Sequence, residues 1–334
     1  MRHKHAALLV GAALLAGLVQ APAQPVSFES IDLRSAPIAH FRLGSGETRF
    51  GALEFVGGLD LSSRAGEFGQ FSALRFLTPG GDFIGVADHG YWFRGRIERD
   101  AAGLPAGISG FAMQPMVDRA GAPIADKADK DAEGLEVTEG VATVSFERHA
   151  RVSEYRIDGA SIGGPLRDLD FVIPRHELRY NQGIETVVRA PAGGILAGAR
   201  IAIAERSIDP EGNIFAAILE GPQKGVFKIR RSGDFDVTDG VFMENGDLLL
   251  LERRFSMVTG AAMRLRRIEG DTIRRNALVD GKVLMEANLA YRIDNMEALD
   301  IWKRADGETI VSMLSDNNQS FLQKTIYLEF RLAE

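Results

Sequence analysis

Carboxylates at the ends of apolar runs are the residues of this chain best placed to do chemistry. Asp247–Phe255 reads DLLLLERRF, four leucines that end in Glu252, Arg253 and Arg254. The same figure closes FIGVADHG with Asp88 and His89, VATVSFERH with Glu147 and Arg148, ARIAIAERS with Glu205 and Arg206, and ETIVSMLSDNN with Asp316, Asn317 and Asn318. An apolar run of this length is a strand buried on both faces, and a buried strand that ends in charge delivers it to a particular place. Carboxylates gathered at one place cannot all stay ionised without compensation. One compensation is a hard cation such as Ca²⁺, which accepts carboxylate, amide and water oxygens alike. Asn181, Asn295, Asn317 and Asn318 stand beside the acids and could add amide oxygens. The other compensation is arginine, and a guanidinium fork beside a bound cation can grip an anionic ester while the cation polarises it and activates water.

A second figure precedes each of these ends: FSALRF at Ser72, DAEGLEV at Glu133, NQGIETV at Glu185, VTDGVFM at Asp239 and DNMEALDIW at Glu297. Neighbouring members are 61, 52, 54 and 58 residues apart. A period in this range marks repeated supersecondary units, and four-stranded propeller blades fit it. The expected fold is therefore all-β, a β-propeller filling residues 24–334 as one domain. Five units are visible, and the residues before Ser72 and after Glu297 would complete the fifth or help to make a sixth. Six blades is the expectation. The C-terminal KTIYLEFRL alternates as a strand and would pair near the N-terminus to seal the ring. Pro79-Gly80-Gly81 reads as a hairpin turn, and 99–129 as a long connection between blades.

In a propeller, equivalent positions of successive blades converge on one mouth of the central channel. Glu133, Glu185, Glu297, Asp88, Glu147, Glu205, Glu252 and Asp316 would then crowd together. The bland reading is that charges at strand ends are simply solvated. Adjacent residues of a strand also point to opposite faces, so Glu252 and Arg253 need not share a site. His89, a titratable group beside an acid, could exchange protons or merely hydrogen-bond in the channel wall. Trp92 and Trp302 are expected to pack blades. No nucleophile elbow, P-loop, zinc pattern or dinucleotide fingerprint occurs.

The 334 residues are 45% hydrophobic, with 37 glycines and no cysteine, so a turn-rich β protein without disulfides or thiolate metal sites is expected. The N-terminus has Arg2 and Lys4, an apolar run from Ala6 to Val19, and Ala21-Pro22-Ala23. This is the pattern of a secretory signal peptide cleaved after Ala23, with a run too short for a good membrane anchor. The expected location is the periplasm or outside the cell, as a monomer with no membrane anchor after cleavage. Losing residues 1–23 removes two positive charges and no negative ones, so the formal net charge goes from −7 to −9. An acidic chain without a basic cluster is a poor binder of nucleic acid or anionic membrane.

FSALRF, VADHGYWFRG, DAEGLEV with SFER, NQGIETV, GDLLLLERRF with MRLRRI, DNMEALDIW, and LSDNN followed by YLEFRL together resemble the phytase-like domain family, described as having esterase-like activity of phytase. The resemblance runs in order over nearly the whole mature chain. It implies an exported β-propeller related by name to calcium-dependent phytases. Where the family pattern has DRG, this chain has Asp88-His89-Gly90, a titratable group replacing a permanent cation. Where it has DDNF, this chain has Asp316-Asn317-Asn318-Gln319, with one carboxylate fewer.

The expectation is a hydrolase that uses Ca²⁺ or another divalent cation on phosphate monoesters or related small anionic esters. Glu133, Glu185, Glu252, Asn295, Glu297 and Asp316 would hold the cation, Glu252, Glu147 and His89 would serve catalysis, and Arg148, Arg253, Arg254 and Arg206 would bind the substrate. A lactonase-type propeller and a non-enzymatic binding propeller are the alternatives.

Overall fold

The computed structural model describes residues 26–333 apart from 158 and 259, so the expected signal peptide lies outside the described residues. The described chain forms five antiparallel-based sheets of four to six strands each. The innermost strands are Phe71–Phe76, Ala132–Thr138, Ile184–Arg189, Asp236–Phe242 and Asn295–Lys303. Each packs beside the innermost strand of the next sheet, and the last packs beside the first. The molecule is thus a five-bladed β-propeller, one blade fewer than expected.

The terminal strands account for the difference, because those among the described residues are used in existing blades. Thr325–Leu332 pairs with Leu53–Ser62, which pairs in turn with Arg34–Ile38, and the three complete the fifth blade around Asn295–Lys303 and Thr309–Asp316. Glu29–Ser30 adds an outer strand to the first blade. The ring is sealed by antiparallel pairing of C-terminal and N-terminal strands, as the alternation in KTIYLEFRL implies.

The connection expected over 99–129 contains a strand. Pro105–Pro115 is an eleven-residue strand of the first blade. Its Gly and Pro content hides the alternation, and two register shifts against Tyr91–Arg99 break the period. A short helix, Lys127–Lys130, then leads to the second blade.

Each blade is covered on both faces by its neighbours, and this is why its second strand is apolar throughout. Leu248, Leu249, Leu250 and Leu251 are all fully buried. Leu249 and Leu251 pack toward the fifth blade, with Met296 and Leu299, whereas Leu248 and Leu250 pack toward the third, with Ile201 and Ile203. Similar apolar clusters fill the other three junctions among the described residues. Trp92 is fully buried against Tyr155 of the second blade, and Trp302 stands edge-on to Phe76 of the first, so both tryptophans pack blades.

Candidate metal centre at one channel mouth

Two rings of side chains meet at one end of the channel, and strand register dictates both. Every innermost strand breaks register with its partner at the same place. The residues left over are Ser72, Glu133 with Gly134 against Ser145, Glu185, Thr238 and Glu297. A bulge re-aims the extra side chain, here on the strand that lines the channel. One residue beyond each bulge pairing, the second strands present Asp88, Glu147, Glu205, Arg253 and Asp316. The amide of Asp88 donates to the Gln70 carbonyl, that of Glu147 to Asp131 and that of Glu205 to Gly183, while Arg253 lies opposite Asp236 and Asp316 opposite Asn295. Seven of these ten positions are carboxylates. Asp131, two residues before Glu133, adds an eighth.

The carboxylates are close and mostly buried. Ligand oxygens of Asp131, Glu133 and Glu147 lie within 4.8 Å of one another, as do those of Glu147, Glu185 and Glu205. Glu147 belongs to both groups. Burial drives every shift toward the neutral acid, and like charge adds to it. Asp88 is pushed up to about 7 by burial and then by Asp316 and Asp131. Glu297 is pushed up to about 8 by burial, against the pull of Arg253, and Asp316 to about 6. Glu133 and Glu185 are raised well above the ordinary carboxylate range by burial and by neighbouring acids. Glu147 is raised to about 8, with burial outweighing the Gly183 N–H that it accepts.

Arg253 is the cation inside this ring. Its Nη1 donates to Asn295 Oδ1 at 2.8 Å, its Nη2 to Glu205 Oε1 at 3.1 Å, and its Nε lies 3.3 Å from Glu297 Oε1. Burial alone would lower its pKa, but the charges of Glu297 and Glu205 hold it raised. Arg148 stands at the rim, its Nε–H aimed at Asn181 Oδ1 at 3.1 Å. Asp131 Oδ2 is only 2.8 Å from that nitrogen but accepts no hydrogen bond from it.

Glu252 does not belong to this centre. It occupies the position of Ala87, Phe146, Ala204 and Ser315 in the other blades, one residue short of the ring. A slip of one residue turns a side chain to the opposite face of its strand. Its carboxylate is fully buried between Arg264 Nε and Arg266 Nη2, both at 2.5 Å. Arg254 likewise faces away, donating to the Gly233 carbonyl and lying over Phe235. Arg206 approaches Asp236 at 3.7 Å.

His89 lies beside Asp88 at the edge of the acidic ring. It is stacked on Tyr91, its Nδ1 lies 3.8 Å from Asp88 Oδ1, its Nε2 is 3.1 Å from the Glu67 carbonyl, and burial pushes its pKa down to about 4, so the neutral ring donates to that carbonyl. Asn295 bridges Arg253 and Glu297, donating to the latter at 2.7 Å. Asp239, paired with Glu185 in the sequence repeat, is one residue past the bulge and forms a buried bidentate pair with Arg75 across the channel, at 2.7 and 2.8 Å. That pair separates the acidic mouth from the far end, where cavities of about 680 and 420 Å³ surround Phe242, Met243 and Glu244. Asp131 is the site residue that the sequence reading omitted. Its signal was the spacing Asp131-Ala132-Glu133, which places two acids on one face of a strand.

No curated protein matches the chain. Among solved structures, a hypothetical protein from Leishmania major has a TM-score of 0.40 at 7% identity, covering 81% of this chain and 88% of that one. The β-propeller domain of Cps50 (Swd1) from Myceliophthora thermophila has a TM-score of 0.35 at 13% identity, covering 78% and 71%. A putative oxidoreductase (glucose dehydrogenase) from Thermus thermophilus has a TM-score of 0.33 at 13% identity, covering 89% and 100%. The profile of the phytase-like family, described as "esterase-like activity of phytase", matches residues 66–319. That span runs from the loop before Ser72 to just past Asp316 and so takes in both rings of the mouth. The chain therefore belongs to the phytase-like family and is a hydrolase-type propeller.

Proposed function

We propose that the acidic mouth binds a divalent cation, Ca²⁺ being the best match, and hydrolyses phosphate monoesters or related esters. The observation that carries this is the two overlapping carboxylate groups, Asp131, Glu133 and Glu147, and Glu147, Glu185 and Glu205, whose oxygens lie within 4.8 Å of one another, together with buried carboxylate oxygens that accept no hydrogen bond, Asp131 Oδ2 among them and Asp88 Oδ1 and Asp316 Oδ1 in the same mouth. Buried polar atoms are normally satisfied, and exceptions point to an ion, a water or a proton. The donors are all hard oxygens, with no histidine or thiolate among them, which suits Ca²⁺.

Asp131, Glu133, Glu147, Glu185 and Glu205 would hold the cation. Once bound, it supplies Lewis-acid polarisation of an ester oxygen. The chain's own residues position the substrate. Arg253, fixed by Glu205, Glu297 and Asn295, offers charge to an oxyanion from inside the mouth. Arg148 offers it from the rim. The buried Arg75–Asp239 pair closes the channel below, so substrate enters and product leaves by the same opening. With the N-terminal pattern of a secretory leader, the reading places this hydrolase in the periplasm or outside the cell.

The test is the initial rate on p-nitrophenyl phosphate and p-nitrophenyl acetate, with calcium and then with excess chelator. We expect turnover of at least one ester with calcium and its loss with chelator and in Glu185→Gln. Turnover indifferent to both treatments would exclude the mouth as the reactive centre.

A further inference from the structure

The most exposed large apolar side chains among the described residues lie on segments next to the acidic mouth. Among the described residues, the six large hydrophobic residues with the greatest exposure, 64% to 95%, are Tyr180, Phe255, Met257, Val258, Phe321 and Leu322. Every other one is at most 55% exposed. All six lie on three segments that border the two rings. Phe255, Met257 and Val258 form the tip of the hairpin that carries Arg253, and Phe255 shares the face of Arg253 by strand alternation. Leu289 supports that tip from below, its Cδ1 being 2.5 Å from where a Cβ on Gly260 would stand. Phe321 and Leu322 lie on the loop that follows Asp316. That loop is tied down by Gln323 and Lys324, which donate to Asp294, and by Gln319, which donates to the Gly66 carbonyl. Tyr180 precedes Asn181, the partner of Arg148.

The cations of the mouth are already engaged. Arg253 is bound to Asn295 and Glu205, Arg148 to Asn181, and Arg206 lies near Asp236, while Arg254 faces away. Eight carboxylates against two arginines give the mouth a formal charge of −6, and two divalent cations would still leave it at −2. A polyanion would meet strong repulsion there, and a head group of one or two charges much less. Solvated apolar residues concentrated on one rim are unusual for a monomeric surface and mark a binding region.

We propose that the substrates of this mouth are amphipathic monoesters of low charge, whose ester head enters the acidic centre while an alkyl or aryl tail lies across the apolar rim. This rests on the reading of the mouth as a cation-dependent ester site, so the test must separate the two. Binding of n-alkylphosphonates from ethyl to octyl, which cannot be hydrolysed at phosphorus–carbon, is measured by titration calorimetry with calcium in excess. The Kd is expected to fall roughly two- to four-fold per added methylene, the range between partial and full burial. In the variant Phe255→Ser/Met257→Ser/Phe321→Ser/Leu322→Ser, whose altered positions are exposed, the dependence on chain length should flatten, with melting temperature as the control for folding.

A Kd independent of chain length in the unaltered protein would overturn the proposal, as would an unchanged slope in the variant. Co-flotation of the protein with phosphatidylcholine vesicles, lost in the variant and accompanied by a flat phosphonate series, would assign the rim to a lipid surface and overturn it as well. Hydrolysis rates of the matching alkyl phosphates distinguish the two readings. A steep phosphonate series without hydrolysis refutes only the catalytic reading, and hydrolysis with a flat series refutes only the amphipathic one.

Discussion

Arg253 stands at the one position of its ring where the other four blades place a carboxylate, and its charge makes the crowding of Glu205 and Glu297 tolerable. A single guanidinium cannot neutralise eight acids, and the remainder is the physical case for a cation. Its sequence neighbour Glu252 plays the opposite part, as a structural ion buried between Arg264 and Arg266. Breaking such a group from one side leaves charges buried without compensation. Glu252→Gln should therefore cost about 3–5 kcal/mol of stability, measured by chemical denaturation, while calcium affinity stays as it was. The sequence made Glu252 look like the repeat's acid because the leucine run ends there, whereas register makes Arg253 the equivalent residue. Which of two adjacent residues faces a channel is decided by hydrogen-bond pairing with the next strand, and residue type alone does not report it. The apolar-then-acidic figure nevertheless ends at Asp88, Glu147, Glu205 and Asp316, which strand register gathers in one ring.

The recurring bulge is the element that builds the site. Without it, Glu133, Glu185 and Glu297 would follow ordinary alternation and could not join the second-strand acids around one centre. Gly134 shows how tightly this geometry is set. A Cβ there would lie 2.6 Å from the Glu185 carbonyl oxygen, Ser145 Oγ and the Val187 nitrogen, which are two backbone atoms of the next blade and the bulge partner. Gly134→Ala should push the second and third blades apart, lowering stability by about 1–3 kcal/mol as overpacking does and weakening calcium binding in the same variant. Calorimetry and thermal melting report the two effects together, and a loss of stability with unaltered calcium affinity would separate the bulge from the site. The period of the motifs was legible because each unit repeats both an acid and an apolar strand. The strand Pro105–Pro115 was not, since its outer position and two register shifts remove the alternation that would reveal it.

At the scale of the whole molecule, five blades close a channel that is acidic at one end. The count was ambiguous in the sequence because the terminal strands belong to a blade whose centre lies far away along the chain, and the pairing of Leu53–Ser62 with Thr325–Leu332 shows that they complete the fifth blade, the described residues forming five. The concentration of buried acid sets a pH dependence. The folded-state pKa values of Asp88, about 7, and of Glu147 and Glu297, about 8, lie above the ordinary values of 3.8 and 4.5. The folded state thus holds protons that the unfolded chain releases, and stability falls as pH rises from about 5 to 8. Glu154 acts in the other direction. Arg167 and Arg200 hold it down to about 2, so its contribution disappears as pH drops below 4.5. Metal-free protein should melt highest near pH 5, and calcium should raise the melting temperature most at pH 8, where cation replaces proton. A melting temperature that climbs from pH 5 to 8 without calcium would contradict this. The most direct measurement of the central claim is a calcium titration of the unaltered protein beside Glu147→Gln, which changes the acid shared by both carboxylate groups. The account predicts saturable binding that weakens roughly ten-fold or more in the variant, as removal of a ligand charge does. Equal affinity in the two proteins, or no binding in either, would contradict it.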